Sequence, residues 1–182
     1  SPNTGYRFVG WSDGKLDNPR TDLNVKQNVS VSAQFAIKTY TVDYAAGLNG
    51  SISGNTSQIV QHGASSTYVT AVPSIGYRFD RWNDGRTDNP RRDTNVSSDV
   101  SATAEFSIIS YTLRYRSGSN GSVSGNLLQT VDYGSSGSEV VASPHQHYHF
   151  VQWSDDVASP SRIDANVISN VDVTANFAPD QF

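Results

Sequence analysis

One segment of about ten residues occurs three times in this chain at a constant spacing. Gly5–Gly14 reads GYRFVGWSDG, Gly76–Gly85 reads GYRFDRWNDG, and His147–Asp156 reads HYHFVQWSDD. Each copy begins 71 residues after the previous one. A fixed spacing with this many identities is the signature of a tandem repeat. The chain is therefore expected to fold as several copies of one small unit.

The 182 residues hold about two and a half such units. We assign 1–37 to the C-terminal half of a repeat, 38–108 to a full repeat, and 109–182 to a full repeat with a short tail. A unit of this size buries only about 60% of its unfolded surface. The chain has no cysteine, so no disulfide adds stability. We expect contacts between neighbouring repeats to supply part of it, above all for the half repeat.

Short apolar alternations predict strands throughout the chain. Each full repeat opens with alternating residues, as in Tyr40-Thr-Val-Asp-Tyr44, which places the tyrosines and Val42 on the inner face. Asn49-Gly50 predicts a tight turn into a returning strand. No window shows a helical period. We predict an all-β fold of tandem repeats of about 71 residues, each β-grasp-like or a small sandwich, with little or no helix. A similar alternation closes every unit: Val29, Val31, Ala33, Phe35; Val100, Ala102, Ala104, Phe106; Val171, Val173, Ala175, Phe177.

The aromatic segment allows two interpretations. Strict alternation would turn each tryptophan away from the core, as a platform on which a sugar ring could stack. However, the two residues before each tryptophan vary and include the charged pair Asp80-Arg81. A β-bulge at this point would turn both rings inward, and we favour that core placement. The candidate platform is Trp11, Trp82 and Trp153, and the structural motif is Tyr6, Phe8, Tyr77, Phe79, Tyr148 and Phe150.

A polar loop follows each tryptophan and contains an aspartate, an arginine, a second aspartate and an asparagine in every unit. Asp84, Asp88 and Asp93 are weak candidate ligands for Ca²⁺, which prefers several oxygen donors. The spacing of a dedicated calcium loop is absent, and Arg91 lies among the candidate ligands. We favour a structural role, in which the loop is held by Asx-turns and an arginine–aspartate contact.

Three histidines near the third aromatic segment form a second weak candidate metal site. His145, His147 and His149 would share one face of a strand, and two imidazoles on a face can bind Zn²⁺ or Cu²⁺. The equivalent positions of the other units carry other residue types. We therefore expect these histidines to be solvated surface residues.

Composition and motifs exclude several functional classes. The net charge is −4, which argues against a nucleic-acid-binding protein. No apolar run has the roughly 20 residues of a membrane span. A nucleophile elbow and a phosphate-binding glycine loop are both absent. Carboxylates beside arginine have lowered pKa values and are poor general acids. The prediction is a protein that is not an enzyme and needs no cofactor.

The order of these segments resembles a known bacterial repeat. The chain is similar to the divergent internalin-type B-repeats, also called Listeria–Bacteroides repeats, in nearly its whole length. The resemblance rests on Tyr-Thr-Val-x-Tyr, the Asn-Gly turn, Gly-Tyr-x-Phe-x-x-Trp and the closing Val-x-Ala-x-Phe. It implies a secreted or wall-associated bacterial protein with small β-grasp-like repeats. In such proteins the repeats act as stalks or weak binding modules beside a main domain.

We expect a stalk, spacer or adhesin segment of a large secreted or cell-surface bacterial protein, with a surface glycan or a protein as its partner. One alternative is a carbohydrate-binding module attached to a secreted hydrolase, which exposed tryptophans would favour. Another is self-assembly of the chain, head to tail, into an extracellular filament through an unpaired sheet edge.

Overall fold

The computed structural model describes residues 1–181 as strands joined by turns and loops, with no α-helix in that range. The predicted all-β fold is confirmed. None of these residues forms a helix long and apolar enough to cross a membrane.

Within residues 1–181, the structure has fifteen strands, and their order follows the repeats of the sequence. The half repeat contains β1 (Tyr6–Trp11) and β2 (Ala33–Ile37). The second repeat contains β3 (Thr39–Ala46), β4 (Gly50–Gly54), β5 (Ser57–Gln61), β6 (Val69–Pro73), β7 (Tyr77–Trp82) and β8 (Val100–Ile108). The third contains β9 (Ser110–Ser117), β10 (Gly121–Gly125), β11 (Leu128–Asp132), β12 (Val140–Pro144), β13 (Tyr148–Trp153), β14 (Ser161–Arg162) and β15 (Val171–Pro179).

Each full repeat has a four-stranded sheet and a smaller sheet with the core between them. In the second repeat the larger sheet has the order β5-β3-β8-β7, and β4 pairs with β6. In the third repeat the orders are β11-β9-β15-β13 and β10-β12-β14. The two central strands of each larger sheet run parallel, β3 with β8 and β15 with β9. The first strand of a repeat is therefore paired with its last.

Period-two patterning determines which side chains enter the core. Val42 and Tyr44 of β3 are buried, whereas Thr41 and Asp43 between them are exposed, as predicted. The core of the second repeat is made of Val42, Tyr44, Val60, Val69, Ala71, Trp82, Val96, Ala102 and Ala104. That of the third is made of Leu113, Tyr115, Val140, Ala142, Trp153, Val167, Val173 and Ala175.

The Asn-Gly turn leads into a different sheet from the one that precedes it. Asn49 has a positive φ of 68°, as the turn requires. The following strand, β4, pairs with β6 and is not hydrogen-bonded to β3 as a simple hairpin would be. At the end of β3 the Gly47 N–H instead donates to the carbonyl of Ala104, 2.8 Å away. The chain therefore turns a corner here, from one layer of the repeat to the other.

The closing strand of the half repeat is shorter than the alternation predicts. β2 begins at Ala33, so Val29 and Val31 lie before it, and Val29 and Phe35 are 49% and 43% exposed. In the second repeat, the equivalent residues Val100–Ala104 pair with the parallel strand β3. Among the described strands β2 pairs with β1 alone, which reaches Ala33–Ile37. The prediction that Val29 and Val31 belong to a strand was wrong. The equivalent residues of β8 are in a strand because they pair with β3, and β2 has no such partner among the described strands.

The chain forms two compact units whose limits differ from those of the sequence repeats. The first contains Ser1–Pro73 and Phe79–Glu105, and the second contains Ser74–Arg78 together with residues 106–181. The turn before β7 thus packs with the third repeat, to which the sequence period does not assign it. One residue, Lys38 or Ile109, separates the last strand of one repeat from the first strand of the next.

Candidate functional site: the tryptophan–arginine clusters

A β-bulge turns the tryptophan toward the same side as the preceding phenylalanine in the first and third units. The strand register shifts between Phe8 and Gly10 in β1, and between Phe150 and Gln152 in β13. The predicted bulge is confirmed at both places. The paired rings meet edge to face, with centroid distances of 5.7 Å for Phe8–Trp11 and 6.1 Å for Phe150–Trp153.

The three candidate platform residues differ in exposure. Trp82 and Trp153 have no exposed surface, so neither ring has a face open to a ligand in this structure. Trp11 of the half repeat is partly exposed. In all three, the indole N–H donates to the backbone carbonyl six residues later, over 2.8–3.0 Å. Each tryptophan therefore fixes the start of its polar loop.

The recurrent arginine of each loop lies over the tryptophan ring of the same unit. The guanidinium carbon is 5.4, 5.1 and 5.7 Å from the ring centroid for Arg20, Arg91 and Arg162. Arg91 is only 1% exposed. Such a stack combines apolar burial of the side-chain stem with attraction between the cation and the ring.

Two aspartates neutralise each of these arginines. Arg91 pairs with Asp84 at 2.8 Å and with Asp93 at 2.9 Å. The same pairs recur in the other units as Arg20 with Asp13 and Asp22, and Arg162 with Asp155 and Asp164. We call each set of one tryptophan, one arginine and two aspartates a Trp–Arg cluster. The arginine–aspartate contact favoured from the sequence is present, and the stack on tryptophan adds to it.

A tyrosine from the first strand of the repeat completes the cluster in both full repeats. The Tyr44 hydroxyl donates to Asp93 over 2.7 Å, and the Tyr115 hydroxyl donates to Asp164 over 2.6 Å. Their rings lie 5.9 and 6.0 Å from those of Trp82 and Trp153. This contact links the first strand of a repeat to its polar loop.

The electrostatics of the cluster keep its carboxylates ionised. Burial alone raises the pKa of Asp93, but hydrogen bonds from Arg91 and Tyr44 outweigh it and leave that pKa below its ordinary value. The hydrogen bond from Arg91 lowers the pKa of Asp84. Burial raises the pKa of Tyr44. A carboxylate with a lowered pKa is a poor proton donor near neutrality.

The weak calcium candidates are all engaged by arginine. Asp84 and Asp93 contact Arg91, and Asp88 contacts Arg86 at 2.8 Å. Within residues 1–181, no three acidic, histidine or cysteine side chains are grouped so that they could hold a metal ion. The recurrent asparagine of the loop, as at Asn95, adopts a positive φ of 54°. It supplies the left-handed backbone that asparagine tolerates better than most residues.

The three histidines do not share a strand face, so that prediction was wrong. His145 and His147 lie in the turn before β13, and His147 has a positive φ of 71°. Only His149 belongs to the strand, and its Nδ1 lies 3.4 Å from Asp180. The turn is closed by a hydrogen bond from the Tyr148 N–H to the His145 carbonyl. Alternation fails here because a turn interrupts it.

The remaining aromatic motif residues occupy the margin of the core. Phe8, Phe79 and Phe150 are partly buried, as are Tyr77 and Tyr148, whereas Tyr6 is 44% exposed. The phenylalanines contact the tryptophans edge to face, as the 5.8 Å Phe79–Trp82 distance illustrates. These contacts support the structural role assigned to the phenylalanines.

The turn before each aromatic strand packs on a ring of the following repeat, a contact that the sequence analysis missed. A Cβ on Gly5 would lie 2.2 Å from the His62 ring, and a Cβ on Gly76 would lie 2.5 Å from the Tyr133 ring. Both glycines have φ near 80°. The signal was present in the sequence, since glycine stands at both positions and a ring-bearing residue stands at both 62 and 133.

A glutamine at the start of the edge strand forms a second missed contact. The Gln58 side chain accepts from the Thr67 N–H over 2.7 Å and donates to the Asn55 carbonyl over 2.8 Å. Gln129 makes the equivalent contacts with Ser138 and Asn126. Each glutamine is buried. The recurrence of glutamine 71 residues apart, at an inward-facing position, could have indicated this role.

The polar residues that recur from unit to unit are thus used to hold loops and turns to a β core. A sequence model for the divergent InlB B-repeat domain matches residues 1–39, 40–110 and 111–181, which is nearly the whole chain. The repeats, their order and the all-β fold agree with that match. The chain belongs to the divergent InlB B-repeat domain family and consists of consecutive copies of its repeat.

Proposed function

We propose that this chain is a non-catalytic spacer of a bacterial secreted or surface protein, in which the repeats hold other domains apart. The observation that carries this proposal is the hydrogen-bonded joint at each repeat boundary. A spacer holds two domains at a fixed distance only if the joints between its repeats resist bending. With flexible joints the end-to-end distance would grow only roughly with the square root of the residue number.

The joint residue Lys38 is hydrogen-bonded on both sides. Its N–H donates to the Gly5 carbonyl over 2.7 Å, and its carbonyl accepts from the His62 N–H over 2.9 Å. Ile109 repeats the arrangement with Gly76 and Tyr133, both over 2.8 Å. The rings of Tyr40 and His62 lie 5.9 Å apart beside the first joint. The backbone hydrogen bonds on both sides of the joint and the ring contact beside it support a joint of restricted motion.

The burial of the recurrent aromatic residues also supports the spacer over a sugar-binding module. Trp82 and Trp153 have no exposed surface, and Tyr44 and Tyr115 are at most 4% exposed. A stacking platform needs an open ring face, which these four residues lack. The carbohydrate-binding alternative would therefore depend on other side chains.

Small-angle X-ray scattering on chains of increasing repeat number tests the spacer. One or two further copies of residues 38–108 would be inserted after Ile108, and the maximum dimension measured. We expect an equal increment for each copy, of at most about 25–30 Å, the diameter of a compact unit of this length. Increments that shrink with each copy would contradict a stiff spacer.

A glycan array distinguishes a spacer from an adhesin that binds glycans. The intact chain, labelled at its N-terminus, would be screened against bacterial and host glycans. We expect no binding above that of an unrelated labelled protein. Reproducible binding that a soluble competitor removes would replace the spacer with a binding function for the same repeats.

A further inference from the structure

β5 is an edge strand with an open side. It pairs with β3 on one side only. The Thr56 carbonyl accepts from Tyr44 and the His62 N–H donates to Lys38, so the even-numbered residues direct their backbone groups toward β3. The odd-numbered residues Ser57, Ile59 and Gln61 therefore direct theirs away from it. A groove of about 530 Å³ lies against these residues.

Some of these outward groups are already satisfied and others are available. The Ser57 N–H contacts the Asn55 side chain at 3.4 Å, and the Gln61 carbonyl accepts from Ala64 over 2.9 Å. Within residues 1–181, the structure gives no intramolecular partner to the N–H or carbonyl of Ile59, the Gln61 N–H or the Ser57 carbonyl. Ile59 is 80% exposed.

β5 lacks the features that keep sheet edges from pairing. Natural edges are protected by charges, proline or bulges. The opposite edge, β7, carries Arg78, Asp80 and Arg81, and the edges of the other large sheet carry Asp132 in β11 and a bulge in β13. The β5 sequence, Ser-Gln-Ile-Val-Gln, has no charge, proline or glycine. Among the four edges of the two large sheets, this one is unprotected.

The free groups of β5 match those of a second copy of β5 in antiparallel orientation. A two-fold axis at Ile59 places Ile59 opposite itself and Ser57 opposite Gln61 of the other copy. Each Ile59 N–H then meets the other Ile59 carbonyl, and each Gln61 N–H meets the other Ser57 carbonyl. All the available groups are used, and the two exposed isoleucines contact each other.

We propose that two copies of this chain associate through antiparallel pairing of their β5 strands about a two-fold axis at Ile59. The product joins two four-stranded sheets into one of eight strands. A two-fold contact closes on itself, so it yields a dimer and not an open filament. We expect no such pairing of the equivalent strand β11, because it carries the charged Asp132, which a two-fold axis at Thr130 would place opposite Leu128.

Sedimentation equilibrium measures the association. Because one short strand buries little area, the whole chain would be studied up to about 1 mM, where small interfaces still associate. We expect a monomer–dimer equilibrium. Ile59→Lys places like charges opposite each other and should raise the dissociation constant at least about tenfold. Thr130→Lys, at the matching position of β11, should leave it unchanged.

Two results of that experiment would overturn the proposal. One is a chain that stays monomeric at every concentration. The other is a dimer that Ile59→Lys leaves intact, since the contact would then lie elsewhere. The melting temperatures of both lysine variants should match the parent, because the two altered side chains are exposed.

Disulfide formation tests the position of the axis. The chain has no cysteine, so a single introduced thiol can form only an intermolecular bond. Opposed residues of such a pair have Cα atoms about 5.5 Å apart, within the range that a disulfide spans. Ile59→Cys should oxidise to a covalent dimer at least about tenfold faster than Thr130→Cys. Equal rates would reject the register proposed.

Discussion

At the scale of single residues, the contacts of the Trp–Arg cluster offset the free-energy cost of burying the arginine charge. Arg91 is almost completely buried, with carboxylates on Asp84 and Asp93 and the Trp82 ring beneath it. A buried ion pair gains little net free energy over apolar packing, yet removing one partner leaves an uncompensated charge. We therefore expect the cluster to specify the conformation of the polar loop, with little net gain in stability over apolar packing.

Replacing the buried arginine should destabilise the second repeat strongly. Arg91→Ala removes two hydrogen bonds to the buried Asp93, which keeps Arg86 and Tyr44, and leaves a cavity over Trp82. We expect a loss of about 3 kcal/mol in the free energy of unfolding. Arg114→Ala, on the exposed face of β9, is the control and should change it by at most about 0.5 kcal/mol. Chemical denaturation measures both. Similar losses for the two variants would show that the cluster contributes little.

Alanine substitutions at two glycines of the same repeat distinguish the cost of backbone strain from the cost of a steric clash. Gly85 has a φ of 86° with open space where a Cβ would lie, so Gly85→Ala should cost about 1–2 kcal/mol from the left-handed backbone alone. Gly76 has a φ of 82° and meets the Tyr133 ring, so Gly76→Ala should cost about 1–3 kcal/mol more. Thermal melts of both variants compare them, and equal losses would argue against a packed joint.

At the scale of elements, the parallel pairing of the first and last strands organises each repeat. The alternation of Tyr40, Val42 and Tyr44 predicted the burial of Val42 and Tyr44 correctly, because the inner face follows from the period-two geometry of a strand. It could not indicate that β8 would be the neighbour of β3, since an alternating pattern carries no information about its partner. For the same reason, the sequence could not indicate that the strand after Asn49-Gly50 would pair with β6 in the smaller sheet.

Amide hydrogen exchange should follow this strand order. β3 and β8 have a neighbour on both sides, whereas β2 pairs with β1 alone among the described strands. Central strands open only in the larger unfolding events, and edge strands exchange through local ones. We expect protection factors in β3 and β8 at least about tenfold above those in β2, measured residue by residue by NMR. Equal protection in β2 would mean that the half repeat is held by contacts other than its ladder.

At the scale of the whole molecule, the limits of the compact units do not coincide with those of the sequence repeats. The turn Ser74–Arg78 packs with the third repeat because Gly76 contacts Tyr133 and accepts a hydrogen bond from Ile109. A sequence period reveals the length of the repeated unit but is equally satisfied by any starting point. The contacts of the glycine turn place it with the following repeat, which the period alone could not show.

Acid should unfold the chain through the clusters. The pKa values of Asp84, Asp93, Asp155 and Asp164 lie below the ordinary 3.8, so these groups stabilise the fold above about pH 5. That contribution is lost as the pH falls through the folded-state pKa values. We expect a constant melting temperature from about pH 8 to 5 and a fall below about pH 4.

The same titration on Asp93→Asn identifies the groups responsible. This variant should melt lower at neutral pH and lose less on acidification, since one of the titrating carboxylates is gone. Asp17→Asn, an exposed position, should follow the parent curve. If the melting temperature of Asp93→Asn fell with pH as steeply as that of the parent, other carboxylates would be responsible for the acid sensitivity.

Calcium should have little effect on stability. The candidate ligands Asp84, Asp88 and Asp93 already contact arginines, which oppose the approach of a cation. We expect the melting temperatures in excess EDTA and in about 5 mM CaCl₂, far above the dissociation constants of most calcium sites, to agree within a degree. Magnesium at the same concentration controls for ionic strength. A rise specific to calcium would reveal a site that uses these aspartates.

The sequence by itself determined the repeat length, the all-β class, the inward faces of the strands and the bulge that turns Trp153 inward. These follow from local geometry, since a period and an alternation are properties of neighbouring residues. Tertiary structure decided that first and last strands pair in parallel, that Arg91 stacks on Trp82, and that a glycine turn belongs to the following repeat. Each of these is a contact between residues that are not neighbours in the chain, chosen by shape and charge that only the folded backbone brings together.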